Sequence, residues 1–212
     1  MATHETYFFR DVHPFDVMRS TVIPELLKTS GGGGLNFWSA AASTGQEAYS
    51  LAIMMRQYFP QVLNLKIIAT DFSSSSLEVA ERGRFTQLEV NRGLPAAMLV
   101  RYFDRRGRDW HVKGEIRRMV TFSQLNLTHS LAALPKMDLV LLRNVLTYFP
   151  VALKSSILIR TATVMKAGAY LFLGGSETTY GLDPTYELVR IGRTVCYKCA
   201  ELERGKHGQI RY

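Results

Sequence analysis

A few residues in this sequence have the type and spacing to do chemistry. The stretch Leu35–Ala52, LNFWSAAASTGQEAYSLA, joins a short apolar run, a turn of tiny residues and the opening of an amphipathic helix. A buried parallel strand that feeds a helix through such a turn presents unpaired backbone N–H groups and little side-chain bulk at one point of a sheet edge. A nucleotide-like ligand fits there. Ala40, Ala41 and Ala42 stand where a dinucleotide fingerprint has glycines, so the turn alone does not name its ligand. Asp71 closes the next apolar run, LKIIAT, near the spacing at which an acidic residue accepts ribose hydroxyls; a helix cap is its alternative role. Glu47 falls in the first turn of the predicted helix, where the dipole favours a carboxylate and where it could accept an ammonium group; a carboxylate that only starts the helix is the alternative. Cys196 and Cys199, in CYKC, are the only cysteines. They read as part of a strand, which sends residues three apart to opposite faces, so neither a redox pair nor a metal site is expected.

Holding these groups in place needs strands and helices, and the pattern supplies them in alternation. THETYFFR precedes His13-Pro14, with Phe8, Phe9 and Phe15 able to dock on a core while Arg10 keeps a cation near it. PFDVMRSTVIPELLK predicts one helix, apolar at Phe15, Met18, Val22 and Leu26 and disturbed by Pro24. After the loop Gly31–Gly34 come a strand over Asn36–Ala40 and a helix over Gln46–Tyr58. A second strand covers Leu65–Thr70, and a helix capped within Ser73–Ser76 runs to Arg82. Gly83–Asn91 reads as irregular, Leu94–Phe103 as a helix, and Arg105–Val120 as a small antiparallel insertion. Strands over Val120–Ser123, Met137–Leu142 and Tyr170–Gly174, a helix over Val151–Met165, and a terminal pair at Glu187–Ile191 and Thr194–Lys198 complete the chain. This is an α/β doubly wound sheet, whose ligands bind at the carboxyl ends of the strands.

With 212 residues, 47% of them hydrophobic and 21% charged, the chain can bury one substantial core with a small insertion. No apolar run reaches the length of a membrane span, and MATHETYFFRD lacks a basic-then-apolar signal pattern, so a cytoplasmic location without membrane insertion is expected. The net charge of +8 favours an acidic partner, and Arg101, Arg105, Arg106, Arg108, Lys113, Arg117 and Arg118 crowd one segment. That segment is either a solvated hairpin or a binding surface.

WSAAASTGQEAYSLA, ATDFSSSSLEVAERGRF, FSQLNL, LLRNVLTYF and AGAYLFLGGSET, in this order, resemble the chemotaxis receptor glutamate O-methyltransferases of the CheR family, and THETYFFR resembles the segment before their catalytic domain. The likeness runs from about Thr3 to Lys198. It implies a Rossmann-like S-adenosylmethionine-dependent methyltransferase sheet, mostly parallel and seven-stranded, with a small inserted antiparallel β-subdomain at about 104–119. Residues 1–34 would be a linker and helix, and 35–212 the methyltransferase domain. By motif position Glu47 would bind the methionine ammonium, Asp71 the ribose hydroxyls, Asn126 and Leu127 the adenine, with Ala40 in the turn beside the cofactor. Asn144 would lie by the sulfonium and Thr6 near the methionine end. Arg10 and Tyr148 would face the transferred methyl group, Arg10 also touching the cofactor. His4 stands where the family has Asn, Gln46 replaces a Glu and Ala48 a Pro; of these, His4 would keep a cofactor contact only in one tautomer.

The resemblance further implies no metal, and as partner the cytoplasmic helices of methyl-accepting chemotaxis receptors, with recruitment to receptor clusters. Two departures bear on it. The family's N-terminal helical domain is expected to lie outside this sequence, and the hairpin between Phe103 and Phe122 is short with Gly107 at its first turn, so binding of a receptor C-terminal pentapeptide tether is not expected. Two other readings stay open: a methyltransferase of a different acceptor, nucleic acid being disfavoured by the lack of stacking aromatics beyond Trp110 and His111, and a non-catalytic cofactor-binding signalling module.

Overall fold

A computed structural model describes residues 5–31 and 33–200 of the chain. Strand β1 (Leu35–Ser39) leads into α3 (Gln46–Tyr58), after an N-terminal rod made of α1 (His13–Val17), a π-helical turn (Met18–Val22) and α2 (Ile23–Thr29). The single helix expected here is thus interrupted one turn before Pro24, whose ring displaces the carbonyl four residues back and whose missing N–H breaks the ladder. Its predicted apolar face, Phe15, Met18, Val22 and Leu26, is buried.

Next come β2 (Leu65–Asp71), α4 (Ser74–Arg82), β3 (Arg84–Thr86), α5 (Gln87–Asn91), α6 (Ala96–Tyr102), β4 (Phe103–Arg106), β5 (Asp109–Val112) and α7 (Gly114–Arg117). The stretch Gly83–Asn91, read above as irregular, in fact holds a strand and a helix. Its signal was present: Thr86 and Glu89 form a capping box that starts α5. β3 then pairs with β5, so the small antiparallel sheet has the order β3-β5-β4 and three strands rather than a hairpin alone.

The chain returns through β6 (Val120–Gln124), β7 (Met137–Leu142), a 3-10 turn (Leu146–Tyr148), α8 (Val151–Val164), β8 (Met165–Leu173), β9 (Tyr186–Ile191) and β10 (Thr194–Cys199). The main sheet has seven strands in the order β6-β2-β1-β7-β8-β10-β9, parallel from β6 to β8, with β10 antiparallel to both neighbours. Alternate side chains feed two cores: Phe37, Leu139 and Leu141 pack with the N-terminal rod and α3, while Trp38, Val140 and Leu142 pack with α8. Cys196 and Cys199 divide between these two cores as the strand period requires, and both are free thiols. Strand order reverses between β1 and β7, which opens a crevice outside their carboxyl ends.

Candidate functional site

That crevice is a cavity of about 630 Å³. Its walls include Ala40 from the turn after β1, Glu47 from the first turn of α3, Asp71 from the end of β2, and Asn126 with Leu127 after β6. Asn144, just beyond β7, Tyr148 in the 3-10 turn, and Thr6 and Arg10 from the N-terminal strap close it. The residues singled out in the sequence are therefore brought to one place, apart from His4, which lies outside the described residues.

The turn after β1 is built without the glycine fingerprint. Ser43 takes φ 49° and Gly45 φ 96°, and the Ala42 and Ala40 N–H groups bond back to the sheet at Thr70 and Leu141. Asp71 spans the turn: one carboxylate oxygen accepts the Ser43 N–H at 2.8 Å and the other the Ser73 N–H at 2.9 Å. The cap of α4 is Ser73, whose hydroxyl accepts the Ser76 N–H, so Asp71 is not the cap. Each Asp71 oxygen keeps a second lone pair for a ligand.

Glu47 points back at the sheet. Ser39 Oγ donates to its Oε1 at 2.7 Å and Arg143 Nη1 to its Oε2 at 3.0 Å. Burial raises its pKa above the ordinary carboxylate value, more than the Arg143 charge and the two hydrogen bonds lower it. Arg143 was not anticipated. Its side chain is 1% exposed, its other terminal nitrogen donates to Asp11 Oδ2 at 2.7 Å and to the Arg10 carbonyl at 2.9 Å, and its guanidinium lies over the Phe15 ring. The available signal was a charge set directly after the wholly buried strand MDLVLL. Asn144, next in line, adopts φ 58°, a left-handed conformation that asparagine tolerates, and Glu177 holds it there by accepting the Asn144, Gly174 and Thr147 N–H groups.

The strap is held from both sides. Phe8 and Phe9 sink into the core, and the Phe9 N–H donates to Ser50 Oγ at 2.9 Å. A Cβ on Gly93 would come within 1.9 Å of the Phe8 carbonyl oxygen, so only glycine lets the small-sheet segment approach this closely. Arg92 pairs with the Glu5 carboxylate, Arg10 Nη1 donates to the Glu5 carbonyl, and both guanidiniums contact the Tyr7 ring, at 4.7 Å and 5.4 Å from its centre. Asp11, the acid next to Arg10 in the chain, goes to Arg143 instead. Phe9, Asp11 and Val12 all have positive φ, and Val12, at φ 49° and ψ −55°, is the centre of a γ-turn closed by His13 N–H on the Asp11 carbonyl. Such conformations cost on the order of 1–3 kcal/mol each and persist where neighbours over-determine them.

Four buried polar atoms on cavity residues have no hydrogen-bond partner among the described residues: Arg10 Nε, Ser43 Oγ, Arg143 Nε and Asn144 Oδ1. Asn126 spends its carbonyl oxygen on Thr128, accepting from both N–H and Oγ1, which leaves the amide nitrogen as its donor. The Glu47 and Asp71 carboxylates, the Arg10 and Arg143 guanidiniums and these unspent donors and acceptors, set against Leu127 and Phe149, suit a ligand with an ammonium group, hydroxyls and a flat ring system.

Comparison with known proteins agrees with that chemistry. The sequence model of a family described as CheR methyltransferase, SAM binding domain, matches residues 4–195. The chain is 43% identical over 204 residues to chemotaxis protein methyltransferase 1 of Pseudomonas aeruginosa, covering 93% of this chain and 74% of that protein. It is 41% identical to chemotaxis protein methyltransferase Cher2 of Pseudomonas putida, with the same coverage. To the chemotaxis protein methyltransferase of Vibrio parahaemolyticus it is 37% identical over 203 residues, 93% of this chain and 73% of that protein.

Proposed function

This chain belongs to the CheR methyltransferase family, whose members bind S-adenosylmethionine, and from that premise we propose that it methylates glutamate side chains of chemotaxis receptors as carboxyl esters. The observation that carries this reading is the convergence of Arg10 and Tyr148 with Glu47, Asp71 and Asn144 on one cavity. Glu47 receives the ammonium group of the cofactor, Asp71 its ribose hydroxyls, Asn126 and Leu127 its adenine; Ala40 and Thr6 flank it. S-adenosylmethionine supplies a methyl group on a sulfonium, which an oxygen nucleophile takes while the C–S electron pair returns to sulfur.

A glutamate carboxylate is ionised near pH 7, so the protein needs no general base for it. What the residues do is align charges and exclude water. The Arg10 guanidinium holds one acceptor oxygen and leaves the other free to react, a task its planar fork performs more selectively than an ammonium group. Its buried Nε, without a hydrogen-bond partner among the described residues, supports this role. Tyr148, half exposed at the cavity mouth, orients the acceptor through its hydroxyl.

The test is transfer of labelled methyl from S-adenosylmethionine to receptor-bearing membranes, scored as methanol released by alkali. Base-labile label that disappears with Arg10→Ala supports the proposal; alkali-stable label on RNA, or a protein that binds S-adenosylhomocysteine without transferring methyl, refutes it. Recruitment to receptor clusters in the cytoplasm belongs to the same reading, and among the described residues no helix is long and apolar enough to cross a membrane. A receptor pentapeptide tether is not part of it: the β4 and β5 strands are four residues each and joined tightly at Gly107 and Arg108. Micromolar affinity for such a peptide by calorimetry would overturn that last point.

A further inference from the structure

Arg143 joins two parts of the site that are far apart in sequence. Nη1 donates to Glu47 on the cofactor wall, and Nη2 donates to both the Arg10 carbonyl and the Asp11 carboxylate on the strap. The strap cannot hold its own shape, because three of its residues have positive φ without being glycine. Beside the buried Phe8 and Phe9 rings, its inner hydrogen bonds include the Ser50 hydroxyl on the Phe9 N–H and the Arg143 edge on residues 10 and 11. Displacing the Arg10 carbonyl moves the base of the Arg10 side chain with it.

We propose that Arg143 is the positioning residue of the transfer site: one guanidinium holds the strap carbonyl and carboxylate on one nitrogen and Glu47 on the other, and so sets Arg10 against the bound cofactor. A lysine ammonium has no fixed fork with which to span these acceptors. Because Glu47 is shared between Arg143 and the incoming ammonium group, cofactor occupancy and strap order are linked, and each changes the other by the same factor. The proposal rests on the reading of Arg10 as the group that holds the acceptor carboxylate.

Asp11→Asn tests it, since Asp11 is half exposed, meets Arg143 on its strap side rather than at Glu47, and otherwise accepts the Tyr7 hydroxyl at 3.5 Å, a contact that an asparagine oxygen can keep. The expected result is a fall in kcat of about tenfold, within the range that a small misplacement of a catalytic group produces. Affinity for S-adenosylhomocysteine by calorimetry should stay within about threefold, a split that general loosening of the fold would not give. In an Arg10→Lys background, Asp11→Asn should lower kcat no further, because its effect passes through the Arg10 guanidinium. Equal falls in both backgrounds, or no fall in either, would overturn the proposal.

A second readout needs no turnover. Amide hydrogen exchange at Phe9 and Val12 should slow when S-adenosylhomocysteine saturates the wild-type protein, and this slowing should vanish in Arg143→Gln at saturating ligand. Slowing that persists in Arg143→Gln counts against the linkage. If the wild-type protein methylates no receptor, the glutamate ester reading fails while this exchange experiment still decides the role of Arg143.

Discussion

Asp71 offers the sharpest separation of fold from binding. Its carboxylate holds the Ser43 and Ser73 N–H groups and is proposed to accept the ribose hydroxyls as well. A hydrogen bond to a charged group is worth about 1.5–3 kcal/mol, and about 1.4 kcal/mol is tenfold in affinity, so losing one ribose contact should weaken S-adenosylhomocysteine binding by about tenfold to a hundredfold. Asp71→Ala also strands the buried Ser43 N–H, which adds about 1–3 kcal/mol of instability; for a chain of this size each kcal/mol lowers Tm by about 2–4 °C. Asp71→Asn retains a carbonyl for one of the two N–H groups and should lose less stability. The assay is a calorimetric titration of both variants beside thermal melts without ligand. Affinity should fall at least about tenfold in both, with the larger drop in Tm for alanine. Unchanged affinity in Asp71→Asn refutes the ribose assignment and leaves Asp71 as a turn clamp. Affinity that falls only in the alanine variant assigns the loss to a distorted Ser43 turn instead.

Three further outcomes follow from the geometry. Glu47, its pKa raised by burial, takes up a proton at higher pH in the folded chain than in the unfolded one. Its contribution to stability is therefore fully present below the unfolded pKa and lost as pH rises through the folded value. Ligand binding runs the other way: S-adenosylhomocysteine affinity should decline as pH falls through that raised pKa, and Glu47→Gln should lower affinity about tenfold and flatten the decline; the same pH profile in the variant would contradict the ammonium role. Val12→Gly removes a half-exposed side chain from the strained γ-turn and should raise Tm by about 2–8 °C, given strain relief of about 1–2 kcal/mol net of glycine's entropy cost; a lower Tm shows that the strap shape depends on the valine. Burial pushes the Cys196 thiol up to about 11 and raises that of Cys199, so iodoacetamide at pH 8 should leave both unmodified by mass spectrometry, and rapid alkylation would place at least one of them outside the core.

The parts of the site that sit at strand ends were readable because local pattern places them. An apolar run with an acid at its close put Asp71 at the carboxyl end of β2, and a turn of small residues before a periodic helix put Glu47 in the first turn of α3. The seven-stranded sheet follows from the same alternation, and the missed strand β3 is short enough that its pairing with one neighbour, β5, itself paired to β4, decides its existence. Arg143 is of another kind. Its partners lie 96, 132 and 133 residues away, and no period or spacing along the chain reports a contact at that separation. The strap shows why such contacts matter most where pattern says least. Residues 9, 11 and 12 are a phenylalanine, an aspartate and a valine, none of which favours positive φ as glycine does, so nothing in their types predicts the turn they make. A strained turn is stabilised by what surrounds it: the hydroxyl of Ser50, the bare backbone of Gly93 and the guanidinium of Arg143. Its signature is therefore distributed over α3, the small-sheet segment and the end of β7, and the position of Arg10 is fixed by the fold as a whole.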